Sequence, residues 1–221
     1  MEFGKILIIQ TAFIGDVVLA TPLVEKLRRF YPNSKIHFLL RKGNENLLEG
    51  NPNVDQVLIW DKKNGKWKNT FKVIGEIRKE KYDLLINVQR FGTTGLMTLL
   101  SQAKLKVGFD KNPFSFCYDR KHTHEIGNGK HEVERNLQLI SEWTNDQLEK
   151  PKLHLQLEVL EKVKELKSQP YITLAPTSVW FTKQYPSHKW VEFLKGASFS
   201  GPIYLLGAPT DFEACEQIRT K

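Results

Sequence analysis

Short apolar runs alternate along the chain with longer stretches in which apolar residues recur every three or four positions. KILII (5–9), KIHFLL (35–40), VDQVLIW (54–60), YDLLINV (82–88) and KVGF (106–109) are of the first kind and predict strands. PLVEKLRRFY (22–31), TFKVIGEIRKE (70–80), TTGLMTLLSQA (93–103) and HEVERNLQLISEW (131–143) are of the second and predict helices. In the first of these helices Leu23, Leu27 and Phe30 share a face, with Thr21 expected as its cap and Pro22 as its first residue. Several strands are almost continuously apolar and no hairpin turn separates them, which predicts a parallel sheet covered on both faces. Residues 110–130, rich in Asn, Lys and His, read as irregular.

After EVLEKVKELKSQ the pattern restarts: PYITLAP (170–176), HKWVEFLKGA (188–197), PIYLLGAP (202–209) and a final helical stretch. Two strands are too few for an α/β sheet of ordinary size. The expected organisation is therefore an α/β, Rossmann-like parallel-sheet domain over 1–168, followed over 169–221 by the truncated beginning of a second such domain.

Composition adds an electrostatic constraint. Across 221 residues the formal net charge is +8, which favours an anionic partner such as nucleic acid, acidic lipid or a phosphorylated sugar. Two distant cysteines give neither a disulfide framework nor a zinc site, and no stretch approaches the ~20 apolar residues of a membrane span. A cytoplasmic location follows as the expectation, with a peripheral contact at the cytoplasmic face of the inner membrane left open.

Five stretches carry candidate chemistry. FIGD follows the first strand; its aspartate, Asp16, is either a first-turn acid of the next helix or a carboxylate placed at the strand edge where open α/β sheets bind ligands. Gly15 is the one glycine of this loop, and a tight backbone turn is expected there. TSVWFTKQYPSHKW places Thr177, Ser178 and Lys183 after a second-domain strand, where a lysine suits a phosphate or diphosphate. LLGAPTD ends the next strand with Asp211, a position suited to ribose hydroxyls. WDKKNGKWKN interleaves Lys62, Lys63, Lys66 and Lys68 with two tryptophans, either as a solvated loop or as a contact for an anionic acceptor or membrane surface. HEVER lacks the second histidine of a zinc helix, and His122, His124 and His131 are not spaced as a metal pair, so no metal or other cofactor is assigned. There is no P-loop, no dinucleotide fingerprint and no recognised nucleic-acid module.

Taken together, FIGDVVLATPLVEKLRRFYPNSKIHFLLRKGNENLLEGNPNVDQVL, YDLLINVQ, HEVERNLQL and LAPTSVWFTKQYPSHKW resemble the ADP-heptose:lipopolysaccharide heptosyltransferases of glycosyltransferase family 9, over nearly the whole chain. The resemblance implies a GT-B fold, two Rossmann-like domains facing each other across a cleft, with acceptor bound by the first and nucleotide sugar by the second. It implies an inverting transfer of heptose from ADP-heptose to the lipopolysaccharide inner core. In that role Asp16 is the general base; Thr177, Ser178, Lys183 and Asp211 bind donor; Gly15, Lys62, Lys63, Lys66 and Lys68 bind acceptor. Alternatives are a related glycosyltransferase using another nucleotide sugar or glycan, and a non-catalytic binding fragment of the same fold. Two departures stand out: Tyr185 replaces a commoner tryptophan, and the D-[ST]-G-x-x-H donor block does not occur. A 221-residue form is accordingly expected to transfer weakly or not at all.

Overall fold

The computed structural model describes residues 2–221, which cluster into two compact units, 2–156 and 157–221. In the first, six strands form one sheet: β1 Lys5–Ile9, β2 Lys35–Arg41, β3 Gln56–Trp60, β4 Leu84–Asn87, β5 Leu105–Phe109 and β6 Arg120–His122. Their order is β3-β2-β1-β4-β5-β6 and every pairing is parallel. This is the doubly wound Rossmann order, in which the chain reverses direction across the sheet between β1 and β4.

The helices of this unit are α1 Ile14–Val18, α2 Thr21–Phe30, α3 Lys66–Glu80, α4 Gly92–Leu100 and α5 Glu132–Gln138. They explain the apolar runs. Ile6, Ile8, Leu84, Ile86, Val107 and Phe109 pack with Leu23, Leu27, Val133 and Leu137 from α2 and α5. The intervening Leu7, Ile9, Leu39 and Leu85 pack on the other side with Val73, Ile74, Ile77 and Met97 from α3 and α4. Because successive strand residues face opposite ways and both faces are covered, both sets are mainly apolar, and the buried polar residues among the strands, His37 and Asn87, have hydrogen-bond partners.

Five local expectations are corrected. Thr21 is not the cap of α2: Ala20 is, and Thr21 is the first helical residue. The helical turn starts earlier, at Ile14, and is broken at Leu19–Ala20. Pro22 has no N–H to give the carbonyl of Val18, and the Thr21 hydroxyl donates to that carbonyl instead, at 2.8 Å. Phe30 leaves the apolar face and is exposed, whereas Leu23 and Leu27 are fully buried. Residues 120–122 within the irregular segment form β6, with Asp119 N donating to Lys106 O and Asp110 N to His122 O at its ends. Finally, α3 begins at Lys66, so half of the basic stretch is helix: Gly65, at φ 77°, supplies the left-handed cap that a side chain would resist. HEVERNLQLISEW forms a shorter helix than expected, α5, followed by a tighter turn at Ser141–Trp143.

The second unit contains α6 Leu157–Lys162, β7 Ile172–Leu174, α7 Ser187–Gly196, β8 Ile203–Leu205 and α8 Phe212–Arg219. Its two strands are parallel, as expected. The sheet-plus-helix pattern recurs here on a smaller scale.

Candidate functional site

In the first unit the carboxyl ends of β1, β2, β3 and β4 surround a cavity of about 540 Å³. Its walls come from the loop after β1 (Thr11, Ala12, Phe13), from Arg41 and Trp60 at the ends of β2 and β3, and from Lys62, Lys66 and Trp67 at the start of α3. Gln89 and Phe91, with the first turn of α4 and Phe114, close the other side. This is the switch point between β1 and β4, where doubly wound sheets bind ligands.

The cavity is cationic. Arg41, Lys62 and Lys66 line it, and among the described residues none of the three is in an ion pair. Asp61, the nearest acid in sequence, is committed elsewhere. It accepts from the backbone of Lys63 and Asn64 and from Lys42 Nζ, which hold its carboxyl well below the usual range. The Arg41 guanidinium lies 4.6 Å from the centroid of the Phe13 ring and the Lys66 ammonium 5.2 Å from that of Trp67. The first turn of α4 adds N–H groups from a helix end, which favours negative charge.

The β4–α4 wall is held by buried amides. Asn112 Nδ2 donates to Gln89 O at 2.9 Å and to Phe91 O at 3.2 Å, while its Oδ1 accepts from Phe114 N at 2.9 Å. Asn87 Oδ1 accepts from Gln89 N, its Nδ2 donates to Thr98 and Tyr118, and Gln89 Nε2 donates to Gln10 Oε1. On the β1 side, Asn44 Nδ2 donates to Ala12 O at 3.0 Å. A ligand entering the cavity meets walls already fixed, which lowers the ordering cost of binding.

The structure separates the residues singled out from the sequence. Lys62 and Lys66 line the cavity; Lys63 and Lys68 do not and are exposed outside it. Asp16 is the third residue of α1 and accepts from Phe13 N at 3.0 Å through Oδ2, so it does cap that turn. Its Oδ1 makes no hydrogen bond among the described residues, and it sits three residues beyond Phe13, which lines the cavity. Gly15 differs from expectation: it is helical, its φ is not positive, and a Cβ there would meet open space. No tight turn requires it. Arg41, Gln89, Phe91 and Phe114 escaped the sequence reading, whereas Trp60 and Trp67 are the two tryptophans of WDKKNGKWKN. Arg41 carried a readable signal, a cation directly after KIHFLL at a strand's carboxyl end. Phe114 carried none, since β5 and Asn112 bring it in from an irregular segment.

In the second unit β7 and β8 run parallel, so the loops after them leave from the same edge. The first holds Thr177, Ser178 and an exposed Lys183 on a short 3-10 turn, Phe181–Lys183. Ser178 braces this loop: its Oγ accepts from Trp180 N at 3.2 Å and its carbonyl from Gln184 Nε2 at 2.6 Å. The second holds Asp211, whose Oδ2 accepts from Ala208 N at 2.8 Å. A hydroxyl pair, an ammonium and a carboxylate thus share one sheet edge.

The family described as glycosyltransferase family 9 (heptosyltransferase) matches residues 70–221. Lipopolysaccharide heptosyltransferase 3 of Escherichia coli is 31% identical over 146 residues, covering 62% of this chain and 42% of that protein, so the chain spans under half the length of this relative. Among solved structures, a family 9 glycosyl transferase from Veillonella parvula superposes with a TM-score of 0.85 at 19% identity, covering all of this chain and 67% of the other. The ADP-heptose lipopolysaccharide heptosyltransferase II of E. coli gives a TM-score of 0.81 at 19% identity, covering 98% and 68%. At those identities the two structures establish the fold, of the GT-B type, and the family match establishes the kinship. The chain belongs to glycosyltransferase family 9, the heptosyltransferases.

Proposed function

We propose that this chain is the acceptor-binding domain and the first part of the donor-binding domain of an inverting transferase that moves heptose from ADP-heptose to the inner core of lipopolysaccharide. One observation carries the reading: a preformed cavity lined by Arg41, Lys62 and Lys66, at the switch point of a family 9 sheet. Three unpaired cations suit an acceptor rich in carboxylate and phosphate. Relatives named for lipopolysaccharide and for ADP-heptose support the substrate pair. The same reading places the protein in the cytoplasm, beside the inner membrane that carries the acceptor.

Asp16 acts as the base. Its capping bond through Oδ2 fixes the carboxylate, and Oδ1 keeps its lone pairs for a proton. The acceptor hydroxyl gives that proton to Asp16 as its oxygen forms the new bond to the anomeric carbon. The bond from that carbon to the diphosphate breaks, and ADP leaves with the electron pair. A placed carboxylate base is worth typically ~10²–10⁴-fold in rate. Lys183 neutralises charge on the departing diphosphate, Thr177 and Ser178 give it hydroxyl donors, and Asp211 accepts from the ribose. Gly15 leaves room beside Asp16 for the acceptor. Lys63 and Lys68 extend the positive potential beyond the cavity.

The test is ADP release by a form carrying a complete donor domain, given ADP-heptose and a heptose-free inner-core acceptor. The 221-residue form should bind acceptor with little or no turnover. Asp16→Asn keeps an oxygen to accept from Phe13 N, so α1 should stay folded while the rate falls by roughly 10²–10⁴-fold at unchanged ADP affinity. A near-normal rate in Asp16→Asn removes the base assignment. Lys183→Ala should weaken ADP binding, and unchanged affinity removes its phosphate role. Turnover only with a different sugar nucleotide would move the reading to a related glycosyltransferase.

A further inference from the structure

Helix α3 buries one face and leaves the other with an unusual composition. Thr70, Val73, Ile74 and Ile77 face the core. The outward face carries Trp67, Lys68, Phe71, Lys72, Arg78 and Lys79, all exposed. Trp67 and Phe71, four residues apart and so on one side of the helix, are each 58% exposed. Both acids of the helix are drawn into pairs, Glu76 with Lys72 at 3.9 Å and Glu80 with Lys5 at 2.8 Å. The outer face is therefore aromatic and cationic along a helix of about 22 Å.

We infer that this face is a docking surface for an anionic lipid bilayer. It deepens the peripheral membrane contact of the proposed function but depends on none of its chemistry. An exposed Trp–Phe pair costs hydration with no protein core to repay it, and an interfacial layer is where such rings are favoured. Lysine stems lie along apolar surface while their ammonium groups reach phosphate. Aromatics on a helix surrounded by cations are the pattern of helices that lie in a membrane interface. The face is also continuous with the cavity, since Trp67 belongs to both and Lys66 precedes it in the same turn. A bilayer against α3 thus brings its headgroups to the rim of the cationic cavity. Among the described residues no helix is long and apolar enough to cross a membrane, so the contact is one of surface.

The experiment is co-sedimentation of the protein with vesicles of phosphatidylcholine alone or with about one-third phosphatidylglycerol, containing no glycolipid and no nucleotide. Binding should need the anionic lipid and should fall steeply as salt shortens the screening length from about 10 Å at 0.1 M toward about 3 Å at 1 M. The variant Lys72→Gln/Arg78→Gln/Lys79→Gln should bind at least tenfold more weakly. Phe71→Ser should lower the residual binding at high salt. All these positions are exposed, and unchanged circular dichroism verifies the fold. Equal binding to neutral and anionic vesicles, or wild-type binding by the triple variant, overturns the inference. So does tighter binding of a single-stranded oligonucleotide than of anionic vesicles, abolished by the same substitutions. Acceptor binding by a soluble, lipid-free inner-core fragment should survive in these variants. Loss of that binding in an Arg41→Ala protein that still sediments with vesicles would separate the two sites.

Discussion

Gly95 is the fourth residue of α4, where alanine would ordinarily be the better helix former by about 1 kcal/mol. Here the sign should reverse. A Cβ at Gly95 would overlap Asn112 Oδ1 outright, lie 3.0 Å from Asn112 Cγ and 2.9 Å from Phe114 Cδ2. Asn112 is 2% exposed and cannot swing into solvent without releasing the carbonyls of Gln89 and Phe91. Overpacking costs about 1–3 kcal/mol, and leaving buried polar groups unpaired costs about 1–3 kcal/mol. Set against the propensity gain of about 1 kcal/mol, Gly95→Ala should lose roughly 1–5 kcal/mol of stability. For a unit of this size that corresponds to a fall in Tm of about 2–20 °C. The control is Gly75→Ala in α3, where a Cβ meets nothing within 4 Å and a gain of about 0.5–1 kcal/mol is expected. Both are read by urea and thermal unfolding followed by circular dichroism. Because the displaced amide braces the cavity wall, Gly95→Ala should also weaken binding of an anionic ligand there. A Gly95→Ala protein as stable as wild type, or moving in the same direction as Gly75→Ala, would refute the claim that Asn112 is locked against α4.

Two further outcomes follow from buried ionisable groups. Burial holds His37, His122 and His124 below the ordinary imidazole range, and His37 Nδ1 lies 2.7 Å from the hydroxyl of Tyr82, itself kept protonated by burial. The unfolded chain therefore takes up these protons first. Stability should be full above about pH 6.5 and decline as pH falls through that value toward the lower folded-state values; a Tm that is flat between pH 8 and 5 would contradict this. Lys26 is 1% exposed, and its ammonium donates to Asn145 O at 2.5 Å and Gln147 O at 2.6 Å; burial pushes its pKa down while Asp146 and Glu149 pull it back. Lys26→Met should cost about 1–3 kcal/mol through the orphaned carbonyls and open residues 143–150 to limited proteolysis, and unchanged cleavage there would count against it.

What the sequence determined by itself was the sheet and its two coats. KILII, KIHFLL and YDLLINV are apolar at successive positions, and only a strand covered on both faces requires that, so a parallel α/β sheet was legible in the pattern alone. The strand-edge placement of Asp16, Lys183 and Asp211 was legible for the same reason, because loops after parallel strands share one edge. The cavity was not. Its cations come from β2 and α3 and its braces from Asn87 and Asn112, and only strand order brings these together. Nor could the pattern show that Lys66 belongs to a helix, because the left-handed Gly65 that starts α3 looks in sequence like any loop glycine. The period of apolar residues records which face is buried. Which polar residues meet, and which cations are left unpaired, is decided by contacts between segments far apart in the chain, and those exist only once the sheet has closed.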